Sequence, residues 1–141
     1  MTNKRETQIT ASHLGRKAVV YVRQSGKKQL LHARSIAYQR EQVSFPTLWG
    51  WPPDLIEVID DDLGLGGGTT VMRAGYRRML AEVGANRIGA IFIADITRAA
   101  RNAQDWQDLI EMCRQHDVLV VVDGKIYQPD PYQPVGEATG Q

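Results

Sequence analysis

The sequence predicts an α/β fold: three layers, with a mostly parallel central sheet of four to five strands and helices on both faces. Three observations predict it. Apolar, β-branched runs alternate with stretches of helical period, and such alternation gives a parallel sheet covered on both sides. The run Ile88-Gly89-Ala90-Ile91-Phe92-Ile93-Ala94 is apolar throughout, as a central strand buried on both faces requires. A length of 141 residues allows one domain with a real core and leaves no room for a second large one.

The elements follow in order. Residues 1 to about 15 are polar and aperiodic, so residues 1–16 read as a flexible arm. The body spans 17–128, and 129–141 is a Pro/Gly-rich tail. The first strand runs through Ala18-Val19-Val20 and ends at Tyr21-Val22-Arg23-Gln24-Ser25, ahead of the loop-like Gly26-Lys27-Lys28. Ser35 is placed to cap a helix over about 36–44, and Pro46 is expected to kink or stop it. Gly50-Trp51-Pro52-Pro53 forms a turn, and Leu55 to Ile59 the second strand. A glycine-rich loop, Gly64 to Thr70, leads to a helix with Tyr76, Met79, Leu80 and Val83 on one face. The central strand Ile88 to Ala94 comes next. Asn102 caps a helix whose stripe is Trp106, Leu109, Ile110 and Cys113. Val118 to Val122 is the fourth strand, and Gly124 to Tyr127 adds a short edge piece. There is no internal repeat.

Composition excludes several classes. The apolar share of 43% is ordinary for a globular protein, and the net charge is only +1. Bulk charge therefore does not announce a nucleic-acid binder, and that case rests on local clusters. They are Arg16-Lys17, Lys27-Lys28, Arg73, Arg77-Arg78, and Arg98 with Arg101, while Asp60-Asp61-Asp62 forms a separate acidic knot. The single cysteine, Cys113, excludes an internal disulfide and a Cys-rich zinc site, and its apolar helical setting reads as a small buried hydrophobe. His13, His32 and His116 share no metal-ligand spacing. No apolar stretch approaches a membrane span and the first residues lack a signal segment, so a soluble cytoplasmic protein without a membrane partner is expected.

Two places suggest chemistry. Strand side chains alternate, so Tyr21, Arg23 and Ser25 share a face. The strand delivers a cation and a hydroxyl at its carboxyl end, the edge of an open α/β sheet where ligands sit. A serine beside a fixed cation suits attack on a phosphate ester; by itself the segment also reads as an ordinary polar strand end. Arg98-Ala99-Ala100-Arg101 follows the central strand, and a helical turn there puts both guanidiniums on one face. Two forked cations suit a phosphate, whereas cations at a helix start oppose its dipole unless an anion binds. The alternative is a solvated helix start. The Gly64 to Thr69 run fits neither nucleotide-loop fingerprint and reads as a hinge loop. The acidic knot has no partner carboxylate that would make it a metal site.

The order of these features resembles a known family. Tyr-x-Arg-x-Ser (Tyr21, Arg23, Ser25), Ser35 through Gln39-Arg40, Gly50-Trp51-Pro52, an acidic strand end with a Gly-rich loop, Arg73 with Gly75-Tyr76 and Met79-Leu80, Thr97-Arg98-x-x-Arg101, and Asp123-Gly124 with Tyr127 follow one another over about 18–132. This is similar to the catalytic domain of the serine recombinases, the resolvase/invertase family, and most closely to its large phage and transposon members. The resemblance implies that Ser25 is the nucleophile, attacking a DNA phosphodiester to leave a 5′-phosphoserine link and a free 3′-hydroxyl. It implies that Arg23, Arg73, Arg98 and Arg101 surround the scissile phosphate, with Gln39 and Tyr21 in support. The covalent link conserves the bond energy, so religation needs no ATP, and the resemblance implies neither metal nor cofactor.

Four departures stand beside it. Thr97 occupies a position where many members carry Asp or Ser. Gly66 replaces a usual serine, and Pro46 interrupts a normally continuous helix. Members also continue past a Tyr-x-Pro segment into a long dimerisation helix and a DNA-binding domain, whereas here Pro131-Tyr132-Gln133-Pro134 leads only to Gln141. The expectation is a truncated or split recombinase, inactive as an isolated chain. It would bind DNA weakly and with strong salt dependence. An intact recombinase, or a separate chain supplying dimerisation and DNA binding, would be its partner. The alternative is a catalytically silent remnant or accessory domain that associates with an intact recombinase.

Overall fold

In the computed structural model, residues 8–23, 41–60, 73–100 and 102–128 are described. Five strands form one sheet in the order β2-β1-β3-β4-β5: β1 Lys17–Tyr21, β2 Ile56–Ile59, β3 Ile88–Ile93, β4 Leu119–Val122 and β5 Lys125–Ile126. The first four pair in parallel and β5 is antiparallel to β4. Among the described residues the α-helices are α1 Ala11–Leu14, α2 Ser44–Leu48, α3 Ala74–Gly84 and α4 Ala103–Gln115. This is the predicted α/β arrangement, with helices around a mostly parallel sheet.

Alternation along the strands sorts the core into two layers. Val19, Tyr21, Ile59, Ile91 and Ile93 pack with Tyr76, Met79 and Val83 of α3 and with Trp106, Leu109 and Cys113 of α4. Ala18, Val20, Val22, Ala90 and Phe92 face the other way, onto Trp49 and Trp51. All six residues of β3 are buried, as expected for a strand covered on both faces. Phe92 anchors the second layer, with the Trp49 and Trp51 rings centred 5.5 and 5.8 Å away. The Trp51 indole N–H donates to the Arg16 carbonyl at 2.9 Å, which satisfies the one polar group this ring brings inside.

Two expectations fail locally. The segment assigned to a polar arm contains α1, and α1 sits on the sheet. Thr10 caps it: the Thr10 amide donates to His13 Nδ1 at 2.9 Å, and the His13 amide donates back to Thr10 Oγ1 at 3.4 Å. A histidine thus fills the place a Glu or Gln takes in the usual capping box, a substitution that polarity counting does not detect. His13 is 2% exposed and its Nε2 lies 3.1 Å from Asp117 Oδ1.

Pro46 does not stop a helix; it lies in the first turn of α2, after a 3₁₀ turn over Glu41–Val43. First-turn amides have no intrahelical acceptor, so proline forfeits nothing there. Residues 36–40 of the helix predicted over about 36–44, the Gly64 to Thr70 loop, Asp61-Asp62 and the tail from 129 lie outside the described residues.

The β4–β5 turn is Asp123-Gly124, both at positive φ (49° and 76°), the two-residue geometry that matches strand twist. A Cβ on Gly124 would stand 2.7 Å from Phe45 Cζ. Gly124→Ala is therefore expected to cost about 1–3 kcal/mol, from backbone strain and displacement of the Phe45 ring. A fall in the urea midpoint checks this.

Candidate functional site

Strands β1 and β3 are parallel neighbours, so their carboxyl ends emerge side by side. From β1 the chain crosses to β2 on one side, then returns past β1 to β3 on the other. The gap between the ends of β1 and β3 is thus the point where strand order reverses, the usual ligand crevice of an open α/β sheet.

Three arginines meet at this edge. Arg23 follows β1 by two residues and is 9% exposed. Its Nη2 donates to the Thr97 carbonyl at 2.7 Å and its Nε to the Arg98 carbonyl at 3.1 Å. Arg73 stands at the N-cap of α3 and is 6% exposed. Its Nη1 donates to the Ala99 carbonyl at 3.1 Å, and its guanidinium carbon lies 4.1 Å from the centre of the Tyr76 ring. Asp105 Oδ2 is 4.0 Å from its Nη2. Two buried cations from separate elements therefore hold three successive carbonyls. Charged donors make such bonds strong, and ring stacking and ion pairing reduce the cost of burying Arg73.

The held segment is a 3₁₀ turn, Ile96–Arg98, following β3. Asp95 caps it, its Oδ1 accepting from the Thr97 amide at 2.9 Å and from the Thr97 hydroxyl. Oδ2 of the same carboxylate stands 3.3 Å from Arg98 Nε. Asn102 then caps α4 by accepting from the Asp105 amide at 2.8 Å, which places Asp105 toward Arg73.

Tyr21 supports this edge from below, its ring edge-on to Tyr76 at 5.7 Å. Burial pushes the Tyr76 phenol up to about 12 from 10.0, against the opposing pull of the Arg73 charge. The unfolded chain releases this proton first, so Tyr76 contributes stability that is fully present below about pH 10 and lost toward about pH 12. The drop in urea midpoint between about pH 9 and about pH 11 should shrink in Tyr76→Phe. Burial likewise raises the Cys113 thiol to about 12, so it is protonated at neutral pH.

Of the residues singled out from sequence, Arg23 and Arg73 converge on the 97–99 turn, which itself carries Arg98, and Tyr21 packs against Tyr76. Ser25, Gln39 and Arg101 lie outside the described residues. Sequence reasoning passed over Asp95 and Asp105. The signal for Asp95 was present, since Asp is a preferred cap and stands directly after the apolar strand. Among the described residues no group of three His, Cys, Asp or Glu side chains is arranged to hold a metal, and no helix is long and apolar enough to cross a membrane.

Comparison with known proteins bears on the fold and the family. A family model described as Resolvase, N terminal domain, matches residues 18–139. A Sinorhizobium fredii protein, y4bA/y4pH, is 32% identical over 123 residues, covering 86% of this chain; the chain spans 18% of that relative's length. Among solved structures, a resolvase family site-specific recombinase from Streptococcus pneumoniae aligns with a TM-score of 0.63 at 21% identity, over 82% of this chain and 78% of that one. The N-terminal catalytic domain of TP901-1 integrase gives 0.62 at 16% identity, over 77% and 78%. A serine recombinase from Sulfolobus solfataricus gives 0.55 at 23%, over 89% and 76%. At these identities the structures share the fold, while the family match runs from the first strand through the arginine-bearing edge and past the last strand. This chain belongs to the resolvase N-terminal domain family.

Proposed function

We propose that this chain is the catalytic domain of a site-specific DNA recombinase in which Ser25 is the nucleophile. The observation that carries the reading is the gathering of Arg23, Arg73 and Arg98 at the crevice between β1 and β3. Ser25 is two residues beyond Arg23, and chain connectivity alone keeps their Cα atoms within about 7 Å. Arg101 is three residues beyond Arg98 in the chain, which keeps their Cα atoms within about 11 Å, and Gln39 and Tyr21 act in support.

The chemistry is phosphoryl transfer. Ser25 Oγ loses its proton and bonds to phosphorus, while the bond from phosphorus to the 3′ oxygen breaks and that oxygen takes up a proton. Charge on the phosphoryl oxygens grows in the five-coordinate transition state, where preorganised guanidiniums act most strongly. They also favour the ionised serine, whose hydroxyl is a weak nucleophile at its free pKa. Attack by another 3′-hydroxyl on the phosphoserine reverses the step and frees Ser25. No metal or cofactor enters this balance. DNA is the partner, together with further recombinase chains that supply dimerisation and site recognition.

The test is a covalent adduct. The chain is incubated with supercoiled DNA, alone and with a recombinase chain that carries a DNA-binding domain but whose own nucleophilic serine is replaced by alanine, then quenched in denaturant. Protein-linked DNA is expected from wild type and absent from Ser25→Ala. Adduct that survives Ser25→Ala overturns the nucleophile assignment, and none from wild type in either mixture overturns the reading. Arg98→Ala and Arg101→Ala should lower adduct formation by about 10²-fold or more while circular dichroism stays native.

A further inference from the structure

We propose that Asp95 is a positioning residue that sets the direction of the Arg98 guanidinium, a role that rests on Arg98 facing the phosphate. Its carboxylate performs two separable tasks. Oδ1 caps the turn by accepting from the Thr97 amide at 2.9 Å and from the Thr97 hydroxyl, while Oδ2 lies 3.3 Å from Arg98 Nε. The first task fixes the carboxylate on the backbone; the second passes that fixation to the arginine.

Direction matters because a guanidinium is a flat fork on a long stem. Holding it at Nε, the inner nitrogen, constrains its plane. Arg98 Nε is shielded from solvent and lies off the hydrogen-bond line to the carboxylate, so charge rather than a well-formed hydrogen bond holds it. The Asp95 side chain itself is 45% exposed. An exposed pair of this kind adds little to stability, so its effect is expected in placement. Arg23 and Arg73 meanwhile tie the backbone of the same turn through the carbonyls of residues 97–99. The turn is thereby fixed from beneath and its side chain from beside. A carboxylate close to an anion site repels the anion, and pairing with Arg98 gives it a compensating role there.

Asparagine separates the two tasks. It caps a turn as well as aspartate does but carries no charge for Arg98. In the uniformly ¹⁵N-labelled full chain, the Arg98 Nε–H signal is identified by its loss in Arg98→Lys. Asp95→Asn is expected to move that signal and speed its exchange with water by about two- to fivefold, while the Thr97 amide signal stays in place. An Arg98 Nε–H signal indifferent to Asp95→Asn overturns the proposal.

The adduct assay supplies the second readout. If Arg98→Lys abolishes adduct, Asp95→Asn should slow it roughly tenfold, since small displacements at a reacting centre are costly. Asp95→Glu should recover part of that loss. Abolition by Arg98→Lys with an undiminished rate in Asp95→Asn overturns the positioning role. Adduct indifferent to Arg98→Lys instead defeats the reading of Arg98 on which the role depends.

Discussion

Arg23→Ala is expected to reduce adduct formation by about 10²–10³-fold, the loss typical of removing one preorganised donor from a developing anion. It should also lower stability by about 2–3 kcal/mol, because two carbonyls lose a charged donor in a nearly buried place. Both effects follow from one geometry. The Arg23 guanidinium donates to the carbonyls of Thr97 and Arg98, so it ties the end of β1 to the turn after β3. Arg23→Lys tests the geometry against the charge. An ammonium is a compact point charge and does not reproduce the fork that spans two carbonyls, so lysine should recover only a small part of the rate. Single-turnover adduct kinetics and urea midpoints measure the two effects separately. If Arg23→Ala lowers the midpoint while the rate holds, Arg23 is a structural tie and has no part in the chemistry.

Gly89→Ala is expected to be the most damaging single change in the sheet. A Cβ there would stand 2.1 Å from the His13 carbonyl oxygen and 2.9 Å from both His13 C and Cα. These are backbone atoms of α1, so no side chain can swing aside. Either α1 lifts off the sheet or β3 shifts, and a loss of about 3 kcal/mol or more is the expected scale. Hydrogen exchange identifies which. The amides of Leu14 and Gly15, which donate to Thr10 and Ala11, should lose protection if α1 is displaced. The arginine-bearing edge is at the opposite end of β3, so adduct formation should suffer less than stability does. Wild-type stability with α1 still protected would mean that this close approach is not held in solution.

The two variants mark a boundary in what can be read from a chain. The apolar run Ile88 to Ala94 and the stripe Trp106, Leu109, Ile110 and Cys113 were legible because burial imposes a period on sequence. β3 and α4 appear where those periods put them. Asn102 was legible as a cap because a helix start selects residue types. The failures were an unusual cap, a contact between distant segments and a misplaced helix start. His13 completes a cap and pairs with Asp117, 104 residues away, and nothing in a polar stretch near residue 13 announces that. Pro46 was assigned to a helix end on a rule that holds for helix interiors, whereas it occupies a first turn.

For the site, the sequence by itself determined the inventory: a serine two residues after Arg23, and further arginines at 73, 98 and 101, in the order characteristic of the family. Residue types and spacings are covalent facts, and strand alternation follows from them without any partner. Only the tertiary structure decided where the described arginines are directed. Arg23 and Arg73 donate to successive carbonyls of one turn, and Asp95 stands beside Arg98. These directions depend on β1 and β3 lying side by side although the paired residues, Ala18 with Ala90 and Val20 with Phe92, stand 72 positions apart in the chain. Pairing at that separation is selected by burial of both sheet faces at once, and a linear pattern carries no direct record of it.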